Sequence, residues 1–325
     1  MNQLLNNGVF TASAPLRISI AGGGTDLPEY FSKHGGYWIS LSIDKTVSVV
    51  LHKNIEKKFF VHYKNNEVCD DVESIKHPII REMLKNFNIQ ETLSIHSVSE
   101  LSGNSGLGSS STFALCLAQC LSKISNQYIS NLPDYVYNFE RNILNEFVGK
   151  QDSWSAFVGG LKIYKADING NISIENLCNP IEINHLCDHM LLVKAGKQRL
   201  ANDILKTQAF NLSNNIEFEN KFHKTKEIAY KITDLIKQVD IVRFGELVDK
   251  HWQNKMNTFN NNFDSEVFEV YNLLKKENAI GAKLCGAGNS GFMLAVFKNT
   301  EDLNRFIKNN NVTCVKIKPH FLGIK

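Results

Sequence analysis

The segment Ser105–Ser111, Ser-Gly-Leu-Gly-Ser-Ser-Ser, constrains this chain more than any other. It follows a β-rich run at Thr92–Val98. It precedes a stretch in which Phe113, Leu117, Cys120, Leu121 and Ile124 recur at helical spacing. A strand must therefore pass through two glycines straight into a helix that opens on serines. The first N–H groups of a helix have no intrahelical partner, and the dipole adds positive potential there, so such a turn favours an anion. The phosphate chain of a nucleotide is the ligand this geometry suggests.

Three familiar phosphate-binding signatures do not fit. A P-loop needs a lysine directly after its second glycine, and Ser109 follows Gly108. A dinucleotide fingerprint needs a third glycine three residues on, where Ser111 stands. The protein-kinase pair His-Arg-Asp and Asp-Phe-Gly is missing from the sequence.

The 325 residues, 43% hydrophobic and 21% charged, suffice for one large globular domain or two ordinary ones. A net charge of +3 is too small to imply nucleic acid or an anionic membrane as partner. Apolar runs fall short of the roughly 18 residues that span a bilayer, and Met1–Asn7 has neither the basic nor the apolar region of a signal peptide. The expected location is the cytoplasm. Seven cysteines occur without a C-x-x-C pair, and Cys116 and Cys120, four apart on the predicted helix, read as core filler. Cys178, His185, Cys187 and His189 could bring three ligands to one strand face, but a loop and strand edge is preferred to a zinc site.

Along the chain, strands are expected at Ala14–Ile20, Trp38–His52, Lys58–Tyr63, Leu93–Val98 and Leu161–Lys165, with helices at His77–Asn86, from Ser109, and over Leu132–Phe147. The Asn- and Gly-rich stretch Asp167–Pro180 predicts a hairpin and, beside it, a division into domains 1–175 and 176–325. The second half reads as a strand at Met190–Ala195, then helices near Leu200–Phe210, Asn215–Val239, Phe244–Phe259 and Ser265–Lys276. It closes with strands at Ala282–Cys285, Phe292–Phe297 and Thr313–Lys318 around a helix at Glu301–Asn309. The class is α+β.

Two further glycine clusters flank the first. Ala14–Asp26 runs Ala-Pro-Leu-Arg-Ile-Ser-Ile-Ala-Gly-Gly-Gly-Thr-Asp, and Lys283–Gly291 runs Lys-Leu-Cys-Gly-Ala-Gly-Asn-Ser-Gly. In this order and spacing the three resemble the motifs of the GHMP kinase superfamily of small-molecule kinases. Pro15, Arg17, Gly22–Gly24, Thr25 and Asp26 match the first motif, Gly106–Ser110 the second, and Gly286, Ala287, Gly288 and Gly291 the third. Ser102 replaces a usual proline, and Asn289-Ser290 replace two glycines. The resemblance covers nearly the whole chain. It implies a two-domain fold, an N-terminal mixed sheet with helices and a C-terminal ferredoxin-like α/β sandwich.

The same resemblance implies roles. Ser105, Gly106, Leu107, Gly108, Ser109, Ser110 and Ser111 would hold ATP. Asp152, after Gly149-Lys-Gln, would be the catalytic base, a role compatible with the alternative reading of an N-cap aspartate and preferred to it. Arg17 would lie against it and keep it ionised. Ser110 and Glu140 would bind Mg2+, with Glu146 a competing neighbour for the second place. Thr25 and Asp26, with Gly23 and Gly24, would face the acceptor, as would Gly286 and Gly288. His34-Gly-Gly and Asp44 either complete that pocket or form a structural turn.

Gly-Gly-Gly-Thr-Asp, Ile43-Asp-Lys, Gly149-Lys-Gln-Asp152 and Trp252 with Lys255 look like the branch acting on heptose phosphates and fucose. The small-molecule partners implied are ATP and a sugar phosphate, whose distal phosphate would meet Lys197 and Arg199 at a helix start, with Lys150 a weaker candidate. Another sugar acceptor, a binding protein without turnover, and assembly as a homo-oligomer are left open.

Overall fold

The computed structural model describes residues 8–101, 103, 105–196, 202–286 and 290–325. Its spine is a long antiparallel ribbon of β1 (Val9–Ala21) and β2 (Gly36–Lys53), joined by the triple-glycine turn and a short helix, α1 (Pro28–His34). The other edge of β2 forks. Its second half pairs with β5 (Leu93–Ser99), reached through β3 (Phe59–His62), β4 (Asn66–Cys69) and α2 (Pro78–Asn86). Its first half pairs with β6 (Leu161–Ala166), reached through α3 (Ser109–Ser125), α4 (Leu132–Asn138) and α5 (Gln151–Val158). β7 (Ile172–Asn176) closes the predicted hairpin on β6. The sheet order is β4-β3-β5-β2-β6-β7 with β1 on the far edge of β2. It is mixed, because β3 and β5 run parallel.

The second half contributes α6 (Pro180–Asp188), β8 (Met190–Ala195), α7 (Asn202–Asn214), α8 (Ile216–Lys237), α9 (Ile241–Thr258), α10 (Ser265–Lys276), β9 (Ala279–Leu284), β10 (Gly291–Phe297), α11 (Thr300–Asn309) and β11 (Cys314–Lys316). Its antiparallel sheet, ordered β11-β8-β10-β9, is a ferredoxin-like α/β sandwich. The period-two rule sorts its side chains between two cores. Leu191, Val193, Ala295 and Phe297 pack with Val267, Leu274, Leu303 and Phe306 of α10 and α11. Leu192, Leu294 and Val296 face the other way, into the core that holds Ile18, Leu41 and Leu117 of the first half and Ile232 of α8. One continuous core therefore joins the two halves. The last residues also return to the first sheet and fill its fork: Asp44 N–H donates to the Lys318 carbonyl at 2.9 Å, and His320 N–H to that of Ser42 at 2.9 Å.

Two expectations need correction. The helix expected over Leu132–Phe147 stops at Asn138 and continues as a single π-helical turn, Phe139–Ile143, closed by Leu144 N–H on the Phe139 carbonyl at 3.1 Å. Glu140 continues the buried face of Leu132, Pro133, Val136 and Tyr137 and so reaches the core. The region of Cys178, His185, Cys187 and His189 is α6 and not a strand. Asn179 accepts from the amides of Ile181 and Glu182, and Glu182 reaches back to Asn179, a capping box that the alternation of cysteine and histidine concealed. Helix α1 was not anticipated, although Leu27-Pro28-Glu29 carries proline and an acid at a helix start. Among the described residues no helix is long and apolar enough to cross a membrane.

Candidate active site

The three glycine clusters meet, and the second and third do so backbone to backbone. A Cβ on Gly106 would lie 2.5 Å from the Cys285 carbonyl oxygen, and one on Gly286 would lie 2.7 Å from the Gly106 Cα. No side chain fits at either position, so glycine is required by close approach as well as by the positive φ of both residues. Beyond them α3 starts with Gly108 as a left-handed N-cap. Its first helical bond runs from Thr112 N–H to the Gly108 carbonyl at 3.0 Å. The amides of Ser109–Ser111 therefore have no acceptor within the helix, and Gly106, Gly108, Ser109 and Ser110 line a cavity of about 200 Å³.

Arg17 and Asp152 meet on the wall of this cavity. Arg17 donates from Nε and Nη2 to Asp152 Oδ1 at 2.8 and 2.6 Å, and from Nη1 to the Gly106 carbonyl at 2.7 Å. The guanidinium is buried, whereas the Asp152 side chain keeps 29% of its surface exposed. A fixed cation thus holds a carboxylate that still opens to the cavity. Its second oxygen, Oδ2, takes no part in the Arg17 contacts.

Asp26 is the second carboxylate of the cavity. It accepts from Gly24 N–H at 2.8 Å and Gln151 N–H at 3.1 Å. Burial pushes its carboxyl up from the ordinary value, the charge on Asp152 pushes further, and the two amides oppose both. It lies so close to the backbone before α5 that a Cβ on Gly149 would stand 2.0 Å from Asp26 Oδ2. Glu140, 1% exposed, accepts from Ser111 Oγ at 2.7 Å through Oε2. Its Oε1 is buried without a hydrogen-bond partner among the described residues. Desolvation holds this carboxyl well above the usual range, against the Ser111 bond. An orphaned buried carboxylate oxygen behind a serine-rich helix start suits a hard dication, which takes oxygen ligands.

No family model matches the chain. Over 309 residues it is 25% identical to the D-glycero-alpha-D-manno-heptose 7-phosphate kinase of Campylobacter jejuni, a match covering 89% of this chain and 90% of that protein. It is 24% identical to the bifunctional fucokinase/GDP-fucose pyrophosphorylase of Arabidopsis thaliana over 88% of this chain, but only 30% of that longer protein. A crystal structure of a D-glycero-D-manno-heptose 1-phosphate kinase from Bacteriodes thetaiotaomicron superposes with a TM-score of 0.76 at 20% identity, covering 98% of both chains. The fold is that of the GHMP kinases.

Within this GHMP-kinase fold the sequence-predicted residues divide. Arg17, Gly23, Gly24, Asp26, Gly106, Gly108, Ser109, Ser110, Asp152 and Gly286 line the cavity. Ser105, Leu107 and Ser111 are buried behind the loop. Ser111, not the exposed Ser110, is the hydroxyl bonded to Glu140. Thr25 does not face the cavity: it is fully buried, and its hydroxyl is shared between the carbonyls of Gly22 and Tyr37, both at 2.8 Å. It holds the turn that aims Asp26. Lys150 is likewise structural, donating to Asp134 at 2.7 Å and to the Gly170 carbonyl at 2.8 Å. Asp44 binds the C-terminal stretch through Lys318 N–H, and His34 points toward α8. Gly288, Lys197 and Arg199 lie outside the described residues.

The cavity also holds groups to which sequence reasoning gave no place in the site. Lys283 Nζ donates to the carbonyls of Ser19 and Ile20 at 2.8 and 3.0 Å, and Lys255 Nζ to that of Gly286 at 2.5 Å. Desolvation brings Lys283 down to about 7 and Lys255 down to about 8, with Arg17 adding to both. His251, one turn before Lys255, is buried with both ring nitrogens unpartnered among the described residues, and so is the side-chain nitrogen of Gln151. The cavity therefore sets a cationic side of Arg17, Lys255 and Lys283 against Asp26 and Asp152. A lysine in the otherwise apolar strand Ala279–Leu284 was the available signal for Lys283, since lysine is seldom buried without purpose. The i, i+4 pair His251 and Lys255 was the signal for the other two.

Proposed function

We propose that this protein is an ATP-dependent sugar kinase whose acceptor is D-glycero-D-manno-heptose 7-phosphate. The γ-phosphoryl group would pass to the anomeric hydroxyl and give the 1,7-bisphosphate, a precursor of nucleotide-activated heptose for surface polysaccharide. The observation that carries the reading is the Arg17–Asp152 pair, set on the wall of a cavity whose end is the Gly106–Ser110 loop. Phosphoryl transfer needs positioning, charge neutralisation and an acceptor for the nucleophile's proton. In this reading the free amides opening α3 take the phosphates, Lys255 and Lys283 offset their charge, and Asp152 takes the proton of the anomeric hydroxyl. Arg17 holds that carboxylate in place through Nε and Nη2. Asp26 and Gln151 hold sugar hydroxyls, and Ser110 with Glu140 would hold Mg2+, which supplies further charge neutralisation when bound.

The similarity to the heptose 7-phosphate kinase over nearly the full length of both chains favours the phosphorylated acceptor. Lys197 and Arg199 are the residues proposed to take its distal phosphate. The similarity to a fucokinase supports a second reading, in which the acceptor is fucose or another unphosphorylated sugar. An ADP-release assay with Mg2+ separates the two. Heptose 7-phosphate should be turned over at least tenfold more efficiently than heptose, fucose or galactose. Equal rates with and without the phosphate refute the phosphorylated acceptor, and binding of ATP and sugar with no ADP formed refutes the kinase.

A further inference from the structure

Outside the cavity, α1 ends against α8 in a cluster of three side chains that the kinase reading does not use. His34 is the last residue of α1, and Glu219 and His223 lie one turn apart on α8. One ligand atom from each falls within 4.8 Å of the other two. His34 Nε2 touches Glu219 Oε1, and the two imidazoles stand edge to face with centroids 4.6 Å apart.

We propose that His34, Glu219 and His223 form a binding site for one transition-metal dication of the zinc class, clasping α1 to α8. Two imidazoles and a carboxylate are a three-ligand set for zinc that leaves a fourth position to water. Imidazole donors favour zinc, copper, nickel or cobalt over Mg2+ or Ca2+.

The surroundings hold these donors in place. Lys226 Nζ donates to the carbonyls of His34 and Gly35 at 2.7 and 2.9 Å, pinning the end of α1 to α8. The buried Tyr30 hydroxyl bonds His223 Nδ1 at 2.8 Å, which orients the ring as an outer-shell partner does. Lys33, 3.8 Å from Glu219, is the competing cation, and its side chain is 46% exposed and can swing into water. The consequence reaches the cavity. Phe222, beside His223, walls it over Gly24, and α1 follows the turn that carries Asp26. A bound ion would fasten that wall to that turn. The inference stands whether or not the protein is a kinase.

The test uses full-length protein without a polyhistidine tag, stripped with a chelator and titrated with Co2+ and then Zn2+. One Co2+ should bind with tetrahedral d–d absorption and no thiolate charge-transfer band, and Zn2+ should displace it. At a hundredfold excess of Zn2+ over Kd the melting temperature should rise by about 4 °C for a chain of 325 residues. His34→Ala and His223→Ala should each abolish both signals with an unchanged circular dichroism spectrum. Tyr30→Phe should weaken binding about tenfold or more, and His185→Ala, on the exposed face of α6, should change nothing. A thiolate band, no Co2+ bound, or equal affinity in the His34→Ala/His223→Ala double variant overturns the proposal.

Discussion

Asp152→Asn separates proton acceptance from everything else that Asp152 does. Asparagine keeps the shape, and its Oδ1 still accepts from Arg17 Nε and Nη2, which stand at 2.8 and 2.6 Å in the wild type. Two unit charges 2.6 Å apart attract by a gross ~6 kcal/mol at an effective dielectric of about 20, most of it cancelled by desolvation. Arg17 also keeps its bond to the Gly106 carbonyl. The loss of stability should therefore stay below about 2 kcal/mol for asparagine and reach about 3 kcal/mol for Asp152→Ala, which strips the buried guanidinium of its partner. Turnover behaves differently. Loss of a positioned base lowers it by about 10²–10⁴, or ~3–5 kcal/mol of barrier. Nucleotide affinity should hold within about threefold, because Asp152 adds no donor to the phosphate loop. Single-turnover ADP release, calorimetric nucleotide titration and thermal melting read the three quantities. A fourth is the Asp26 carboxyl, which the Asp152 charge helps to raise, so its NMR titration midpoint should fall in the variant. Turnover within about threefold of wild type, or nucleotide affinity collapsing in parallel with it, refutes the assignment of Asp152 as base.

Gly149→Ala places a Cβ 2.0 Å from Asp26 Oδ2, so the backbone or Asp26 must move. It should destabilise the fold by ~1–3 kcal/mol and raise the acceptor KM more than the ATP KM, and equal changes in the two would contradict Asp26 as a sugar-binding group. Glu140→Gln keeps the Ser111 bond and removes a buried charge whose pKa is raised above 4.5. The wild type loses stability as pH rises through that raised value, so the variant should melt above it at neutral pH, with the gap closing below about pH 4.5, while its Mg2+ requirement rises at least ~10-fold. An unchanged Mg2+ requirement removes Glu140 from the metal site. Lys283 titrates near 7 when folded and 10.5 when unfolded. The unfolded chain binds the extra proton between those values, so the wild type should gain on Lys283→Met from pH 7 to 10 by up to ~1.4 kcal/mol per unit, and a flat difference in melting temperature would refute the lowered Lys283.

Local pattern carried much of the fold. The strand–glycine–helix passage at Leu93–Ser125 and the β6–β7 hairpin are where the sequence places them, because turn chemistry and periodicity act over a few residues. Misreadings arose where a local signal had a rival. The capping box at Asn179–Glu182 was hidden by an alternating Cys/His pattern, and the π-helical turn at Phe139–Ile143 leaves the apolar spacing of Leu132–Phe147 almost intact. The site followed the same division. Arg17, Asp26 and Asp152 were legible through glycines beside them, whereas Thr25 carried the same motif signal and proved to be a turn clamp. His251, Lys255 and Lys283 carried no such motif role, although Lys283 opens the third glycine cluster, and their place on the cavity wall shows only in the structure.

The sequence alone determined that three glycine clusters stand at strand ends, that one of them opens a helix on free amides, and that the chain is an α+β globule. These follow from backbone sterics and short-range periodicity. Tertiary structure decided what the clusters are for. Gly106 and Gly286 stack between segments 180 residues apart, and Lys283 of β9 reaches across to the carbonyls of Ser19 and Ile20 in β1. Arg17 and Asp152, 135 residues apart, become an ion pair because α5 packs on β1. It also set His34 against Glu219 and His223, across two segments with no shared motif. Packing of one continuous core fixes these distances, and no local pattern encodes a distance between residues far apart in the chain.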